Sequence, residues 1–424
     1  MREMNSTGIV WCPSIPSDWE LRRVKDCFYI SKVKAGTNNP VVLKLARSGV
    51  RVKDVTVNSG QMAESYDDYN PVQVGDLLLN PMDLYSGANC NVSEVEGVIS
   101  PAYVNLRAKE TLNPYYFDYY FKIQYWTMAM FAHGKGVSYD NRWTINAESV
   151  KAYELPFPSV SEQNAIVDII KRKCTQIDAL ISNAQQQIEK LKAYKQSVIT
   201  ETVTKGLDPD VEMKDSGVEW IGEIPEHWGT PQIKHIATIS SGSTPNRNNT
   251  EYWNGSIKWL KTGELQNNEI TDSEEHITQK ALEETSVTLF PVNTVLMAMY
   301  GQGKTRGMTA LLKTPSTTNQ ACAGMTVVSQ NILVKYFWKC LMGAYNGIRE
   351  IAQGSGQPNL NAGLISSFII PLPPKEEQQP IIDYLDHKCT QIDQLIALKQ
   401  QKIEKLQQYK KSLIYEYVTG KKEV

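Results

Sequence analysis

The chain has 424 residues, 41% hydrophobic and 21% charged, with a net charge of −2. These values fit a folded globular protein and exclude a disordered one, and the length suits two to three domains at roughly 150 residues each. A near-neutral balance argues against a uniformly basic nucleic-acid binder but leaves room for a local basic face.

The first residues, "MREMNSTGIVWCPSIP", carry no apolar core of the kind that follows the basic end of a secretory signal. No run approaches the ~18 apolar residues of a bilayer span. We therefore expect a cytoplasmic protein with no membrane contact. The 7 cysteines and 5 histidines are scattered, without CxxC or HExxH spacing, so neither a disulfide framework, a metal nor a cofactor is expected.

In chain order, "GIVWCPSIPSDW" comes first, and its Gly8, Trp11, Ile15, Pro16 and Trp19 return as Gly217, Trp220, Ile224, Pro225 and Trp228 in "GVEWIGEIPEHW". From Leu21 to Lys53 follows a basic stretch with Arg22, Arg23, Lys25, Lys32, Lys34, Lys44, Arg47, Arg51 and Lys53 against Asp26 alone. The next segment is acidic, from Asp54 to Glu96. Within this first body "PVVLKLA", "DLLLN" and "AYVNLRA" read as strands, and "NPYYFDYYFKIQYWTMAMFAH" as a helix.

A long helix from Ser161 to Thr204 follows. Ile170, Cys174, Ile177, Ile181, Ala184, Ile188, Leu191 and Val198 alternate steps of four and three, interrupted by Lys195. That 3.5-residue period is a coiled-coil seam, on a helix roughly 65 Å long. "KGLDPDVEMKDSG" then reads as a polar linker. In the second body "TVLMAMYG" and "GMTVVS" read as strands and "LVKYFWKCLMGAYNGIREIA" as a helix. The last stretch repeats the long helix: aligning Cys174 with Cys389 carries "CTQID", "IEKL", "YK" and "VT" without a gap, with about half the positions identical. Its seam is Leu385, Cys389, Ile392, Ile396, Ile403, Leu406 and Leu413, with Lys399 and Lys410 as exceptions. A repeat this long is a duplicated domain with its helix, not a short solenoid unit.

Candidate chemistry is weighed against plainer readings. Gly303, Lys304 and Thr305 end like a phosphate-binding loop, but the glycine required five residues earlier is Ala298. A glycine turn offering Lys304 and Arg306 to a phosphate backbone fits better than a nucleotide hydrolase. "NPMD" and "NPYY" lack the second proline of an amino-methyltransferase loop, and "PDVEMK" lies in the linker, where solvated charge is the plainer reading. Cys174 and Cys389 fall on the seam, where cysteine acts as a small hydrophobe. "GSTPNRNNTEYWNGSIKWLKTGEL" mixes hydroxyls, amides and cations with Tyr252, Trp253 and Trp259, which suits an adaptable nucleic-acid loop as well as an aromatic-anchored surface loop. By residue type and placement we expect DNA contacts from Lys32, Lys34, Lys44, Arg47, Arg51, Lys135 and Arg142 in the first body. In the second we expect them from Ser243, Thr244, Arg247, Lys258, Lys261, Lys304 and Arg306.

The Trp/Pro opening segments, the "GSTP" loop, the "IPLPPKEEQ" lead-in and the repeated "KCTQID" helix, in that order across essentially the whole chain, resemble the specificity (S) subunit of type I restriction-modification systems. The resemblance implies an α+β fold: two mixed α/β target-recognition domains linked by two long helices that form an antiparallel coiled coil, with an internal pseudo-twofold repeat. The expected domains are 1–157, a first target-recognition domain; 158–205, the first long helix; 206–372, linker and second target-recognition domain; and 373–424, the second long helix. It further implies a sequence-specific binder of double-stranded DNA, reading one half of a split site per domain. That subunit docks two modification (M) subunits and restriction (R) subunits and has no catalytic residues of its own. The alternative from another class is a coiled-coil scaffold that does not touch DNA.

Overall fold

The computed structural model describes residues 2–424 apart from 32, 37–39, 47, 56–64, 83, 85–89, 137–142, 302 and 354–357. The chain divides into two compact units, Met1–Ala184 with Gln401–Val424, and Gln185–Gln400. Each unit thus takes one body and a part of both long helices.

In the first unit a hairpin, Met4–Ile9 with Cys12–Pro16, precedes a strand Glu20–Arg23 that pairs with Glu154–Phe157. A four-stranded antiparallel sheet runs in the order Phe28–Ser31, Val104–Ala108, Leu77–Leu79, Cys90–Val92. Against it lies the helix Pro114–Trp126, capped by the Asn113 side chain and started by proline at its first position, where the missing N–H costs nothing. Tyr116, Phe117, Tyr120 and Phe121 recur on one face of this helix and are fully buried. The helix expected to reach His133 stops earlier: Met128 takes a left-handed φ of 57°, and the chain resumes as a 3₁₀ turn over Ala129–His133.

The second unit holds a five-stranded sheet in the order Ala237–Ser241, Cys322–Val327, Val295–Ala298, Thr309–Leu312, Asn268–Ile270, its last pairing parallel. A three-stranded sheet joins Glu275–Ile277, Trp253–Leu260 and Ser316–Thr318. The expected single helix is two, Val334–Gly343 and Tyr345–Glu350. Gly343 marks the break, and a Cβ there would meet Val203 at 2.7 Å. The segment expected as a bare linker contains a strand, Met213–Asp215, paired with Glu223–Pro225.

The long helices are Val160–Lys205 and Lys375–Val418. On their seam Ile170, Cys174, Ile177, Ile188, Leu385, Cys389, Ile392 and Ile403 are buried, while Ile181, Leu191, Ile396 and Leu406 are half-buried. The lysines that interrupt the seam reach across to the other helix. In the first unit Lys410 Nζ bonds Asp178 at 2.7 Å. In the second, Lys195 bonds Asp393 at 2.7 Å and Lys399 bonds Gln187 at 2.5 Å. As the number falls on one helix it rises on the other, so the helices run antiparallel there.

The two bodies are fastened to the helices by the same contacts. Trp19 Nε1 donates to Glu162 at 2.9 Å and Trp228 Nε1 to Glu377 at 3.0 Å. The buried Gln163 amide accepts from Asn113 N at 2.8 Å and donates to Pro158 O at 2.9 Å. Gln378 does the same with Leu333 N at 2.7 Å and Pro373 O at 3.0 Å. The Tyr116 hydroxyl donates to Val418 O at 2.9 Å, and that of Tyr336 to Val203 O at 3.2 Å. A body can change its sheets and keep these anchors.

Candidate nucleic-acid interface

Leu43–Ala46 and Gly49–Val52 form an antiparallel hairpin in the first unit. Alternation along a strand sends successive side chains to opposite faces. Leu43, Leu45 and Val50 accordingly pack with Val72, Leu78, Ile99 and Tyr103. Val42 and Val98 bridge the hairpin to the body. Lys44 and Arg51 are left on the outer face, both exposed and directly opposite each other. Like charges across a strand pair repel at a separation of about 5 Å. Among the described residues neither cation has an ion-pair partner, so this face carries two uncompensated positive charges.

The other expected contacts of this unit are placed differently. Lys34 is exposed and pairs with Asp68 at 2.7 Å, which raises the lysine above its ordinary range. Lys135 is exposed beside its bridge to Thr144. Lys32, Arg47 and Arg142 lie outside the described residues. Arg107, which charge counting alone would add, is held by Asp76 at 2.9 and 2.7 Å and is no free cation.

In the second unit the loop of residues 242–252 and the strand Trp253–Leu260 gather Ser243, Thr244, Arg247, Lys258 and, just beyond, Lys261. The Arg247 guanidinium stacks 3.9 Å from the Trp253 ring and 4.6 Å from that of Trp259, and it is ion-paired with Glu275. That bond holds the Glu275 carboxyl below its ordinary value, with Lys261 adding to the effect. Lys261 bridges Glu274 at 3.0 Å and Glu275 at 2.9 Å. Arg247 and Lys261 are therefore tied into a local network of charge and aromatic rings. Thr244 Oγ1 donates to Gln320 at 2.6 Å, Ser243 shares a hydrogen bond with Ser286 at 3.0 Å, and Lys258 is half-buried.

Lys304 and Arg306 lie on a separate turn between Val295–Ala298 and Thr309–Leu312, with positive φ at Gly301, Gly303 and Gly307. The turn's carbonyls are taken by two residues that sequence reading missed. Arg349 donates to Gly303 O and Arg306 O, both at 2.8 Å, and Tyr345 to Lys304 O at 2.7 Å. Lys304 is left exposed while Arg306 bonds Pro358 O. The only sequence sign of this clamp was the helical spacing of Tyr345 and Arg349.

Among the described residues no cluster of His, Cys, Asp and Glu could hold a metal ion, and no helix is long and apolar enough to cross a membrane.

Comparison with known proteins gives consistent matches. Residues 225–408 match the family model described as the type I restriction modification DNA specificity domain. The type I restriction enzyme MjaIX specificity subunit of Methanocaldococcus jannaschii is 34% identical over 194 residues, 44% of this chain and 43% of that relative. The chain thus spans less than half of that relative's length. The MjaVIII specificity subunit of the same organism is 23% identical, over 96% of this chain and 93% of the relative. A chain solved in work on complex assembly and conformational transition of the type I R-M system aligns with a TM-score of 0.72 at 14% identity, covering 96% of this chain and 99% of that one. At that identity the likeness establishes the fold alone.

Proposed function

We propose that this chain, which belongs to the specificity-subunit family of type I restriction-modification systems, reads a split, asymmetric DNA site with one half-site per recognition domain. The domains are residues 1–157 and 206–372, and the repeated helices 158–205 and 373–424 act as spacer and as platform for modification and restriction subunits. The reading places the protein in the cytoplasm with the DNA it marks, and gives methyl transfer and cleavage to its partners. No residue of this chain is assigned a catalytic role.

One observation carries this: equal anchors with unequal outer surfaces. Trp19 and Trp228, Gln163 and Gln378, Tyr116 and Tyr336 repeat in detail. The sheets differ, four antiparallel strands in the first unit against five with a parallel pairing in the second, and among the described residues the Lys44–Arg51 hairpin belongs to the first unit alone. A single ligand bound twice would favour matching surfaces; two different half-sites favour divergence on a constant frame.

The test is a methylation map of DNA exposed to the chain together with its modification subunit. We expect one bipartite motif with dissimilar halves. A map without any such motif, together with duplex affinity that does not respond to salt, would replace this reading with that of a scaffold that does not touch DNA.

A further inference from the structure

Because the chain is a repeat, each unit is a reference for the other. The hairpin that opens each body keeps its register: Met4 pairs with Pro16 and Met213 with Pro225, and Ser17 N donates to Glu3 O at 2.9 Å as Glu226 N does to Glu212 O at 2.8 Å. Arg2 therefore corresponds to Val211, and Asp18 to His227. In the first unit the Arg2 guanidinium bridges Asp18, 2.9 Å from its Nε, and Glu162, and it lies 5.6 Å from the Trp19 ring centroid. In the second unit Val211 supplies no cation at that place. Glu377 holds Trp228 and, at 2.7 Å, His227, yet its side chain is 41% exposed where that of Glu162 is 16%. Beside it opens a cleft of about 320 Å³ walled by Leu207, Val211 and Ile381, small among ligand clefts of roughly 300–1,000 Å³. Lys205 and Asp208 on its wall offset each other, which leaves Glu376 and Glu377 in excess. Glu376 stands where the first copy has Ser161, and among the described residues it has no ion-pair partner.

We infer that this cleft is a binding site for an arginine side chain brought by another polypeptide. A carboxylate has about four lone-pair sites, and Glu377 uses one oxygen for His227 and the other for Trp228, so it can accept a further donor as Glu162 does from Arg2. A guanidinium makes paired bonds with a carboxylate that an ammonium cannot. The apolar walls suit the methylene stem, which lies along apolar surface and leaves its charged head at the edge. A small free cation would leave those walls uncovered. Arg2 shows the same ligand already seated, its head between carboxylates and against the tryptophan that opens the body. Since the first unit fills its own place, the site is open once per chain, and a partner that uses it docks on the second unit and not on the first.

The experiment titrates N-acetyl-arginine methylamide into the full chain carrying isotope-labelled tryptophan, with the Trp228 indole N–H signal as reporter, identified by its loss in Trp228→Phe. We expect a saturable shift in the millimolar range, binding of the lysine counterpart about fivefold weaker, and no shift with the citrulline counterpart, which keeps the shape and lacks the charge. Val211→Arg should supply the missing group from within, abolish the probe's shift and raise the melting temperature. Glu376→Gln leaves the bonds of Glu377 to Trp228 and His227 in place and should weaken the probe about threefold. Arg2→Ala should open the first unit's place, so that the Trp19 indole begins to answer the probe. A Trp228 signal that ignores the arginine probe, or moves equally with citrulline, would overturn the inference, as would an undiminished shift in a folded Val211→Arg chain. Should that variant fail to fold, an unchanged affinity in Glu376→Gln together with a silent Trp19 in Arg2→Ala would overturn it instead. Free L-arginine binding about tenfold tighter than the blocked probe would also overturn it, making the free amino acid the occupant.

Discussion

Replacing Lys44 and Arg51 together by alanine tests whether the basic hairpin meets DNA. The two cations face each other across the strands, have no ion-pair partner among the described residues, and sit on a hairpin whose back face is buried. The substitutions should therefore remove charge without loosening the fold. If each side chain neutralises one phosphate, the plot of log affinity against log salt becomes shallower by about 0.9 per contact, about 1.8 for the pair. The advantage of the unaltered chain over the variant should then shrink about twelvefold between 50 and 200 mM salt. Fluorescence anisotropy with a labelled duplex carrying the mapped site, titrated over that range, reads the slope directly. Arg247→Ala is the contrast. Its charge is already paired with Glu275 and stacked on two tryptophans, so its loss should lower the melting temperature and leave the slope nearly unchanged. An unaltered slope for the hairpin variant, with duplex binding intact, would refute the placement of DNA on that face.

Asp76→Ala should destabilise the first unit by about 3–5 kcal/mol, read by urea denaturation, because it strands Arg107 and the buried Asn105 beside a lost carboxylate. Truncation after Lys410 should unfold the first body rather than the second, because it removes the buried Leu413, Ile414, Tyr417 and Val418 and the acceptor of the Tyr116 hydroxyl. Hydrogen exchange should show residues 114–126 losing protection while 334–343 keep it. Stability should fall as pH rises from 9 towards 12. Burial lifts the thiols of Cys322 and Cys340 from an ordinary 9.0 to about 12, so the unfolded chain loses those protons first. Their contribution is complete below pH 9 and vanishes through the folded value. A urea midpoint that stays flat between pH 8.5 and 10.5 would contradict this.

The long helices were legible because a seam leaves a periodic trace, and their observed bounds lie within a residue or two of those read from the first copy. Strands such as Leu77–Leu79 and Val295–Ala298 were legible as short apolar runs between turn residues. What the sequence hid were features set by distant partners. Met128 is an ordinary residue whose left-handed conformation has no composition signal. At Gly343, where a helix stops, Val203, far away in sequence, leaves no room for a side chain. The candidate interface was half legible for the same reason. Residue type identified Arg247 and Lys44 equally as cations, and only the tertiary neighbours separate them: Glu275, Trp253 and Trp259 hold the first, and a buried apolar back face aims the second into solvent.

The division of the chain explains why the repeat survives in the helices and fades in the bodies. Each long helix begins in one unit and ends in the other, so a seam residue must suit a helix that itself serves both. A change at Cys174 or Cys389 alters packing in its own unit and the register on which the rest of that helix depends. Register errors on a coiled coil propagate because every knob shares its hole with four neighbours. A body has fewer obligations. It must present a tryptophan to Glu162 or Glu377, a helix start to Gln163 or Gln378, and a tyrosine hydroxyl to the end of the other helix. Those few points can be met by an antiparallel sheet of four strands or by a mixed sheet of five. The outer loops are bound by none of them, which leaves their residues to be chosen by whatever each unit binds.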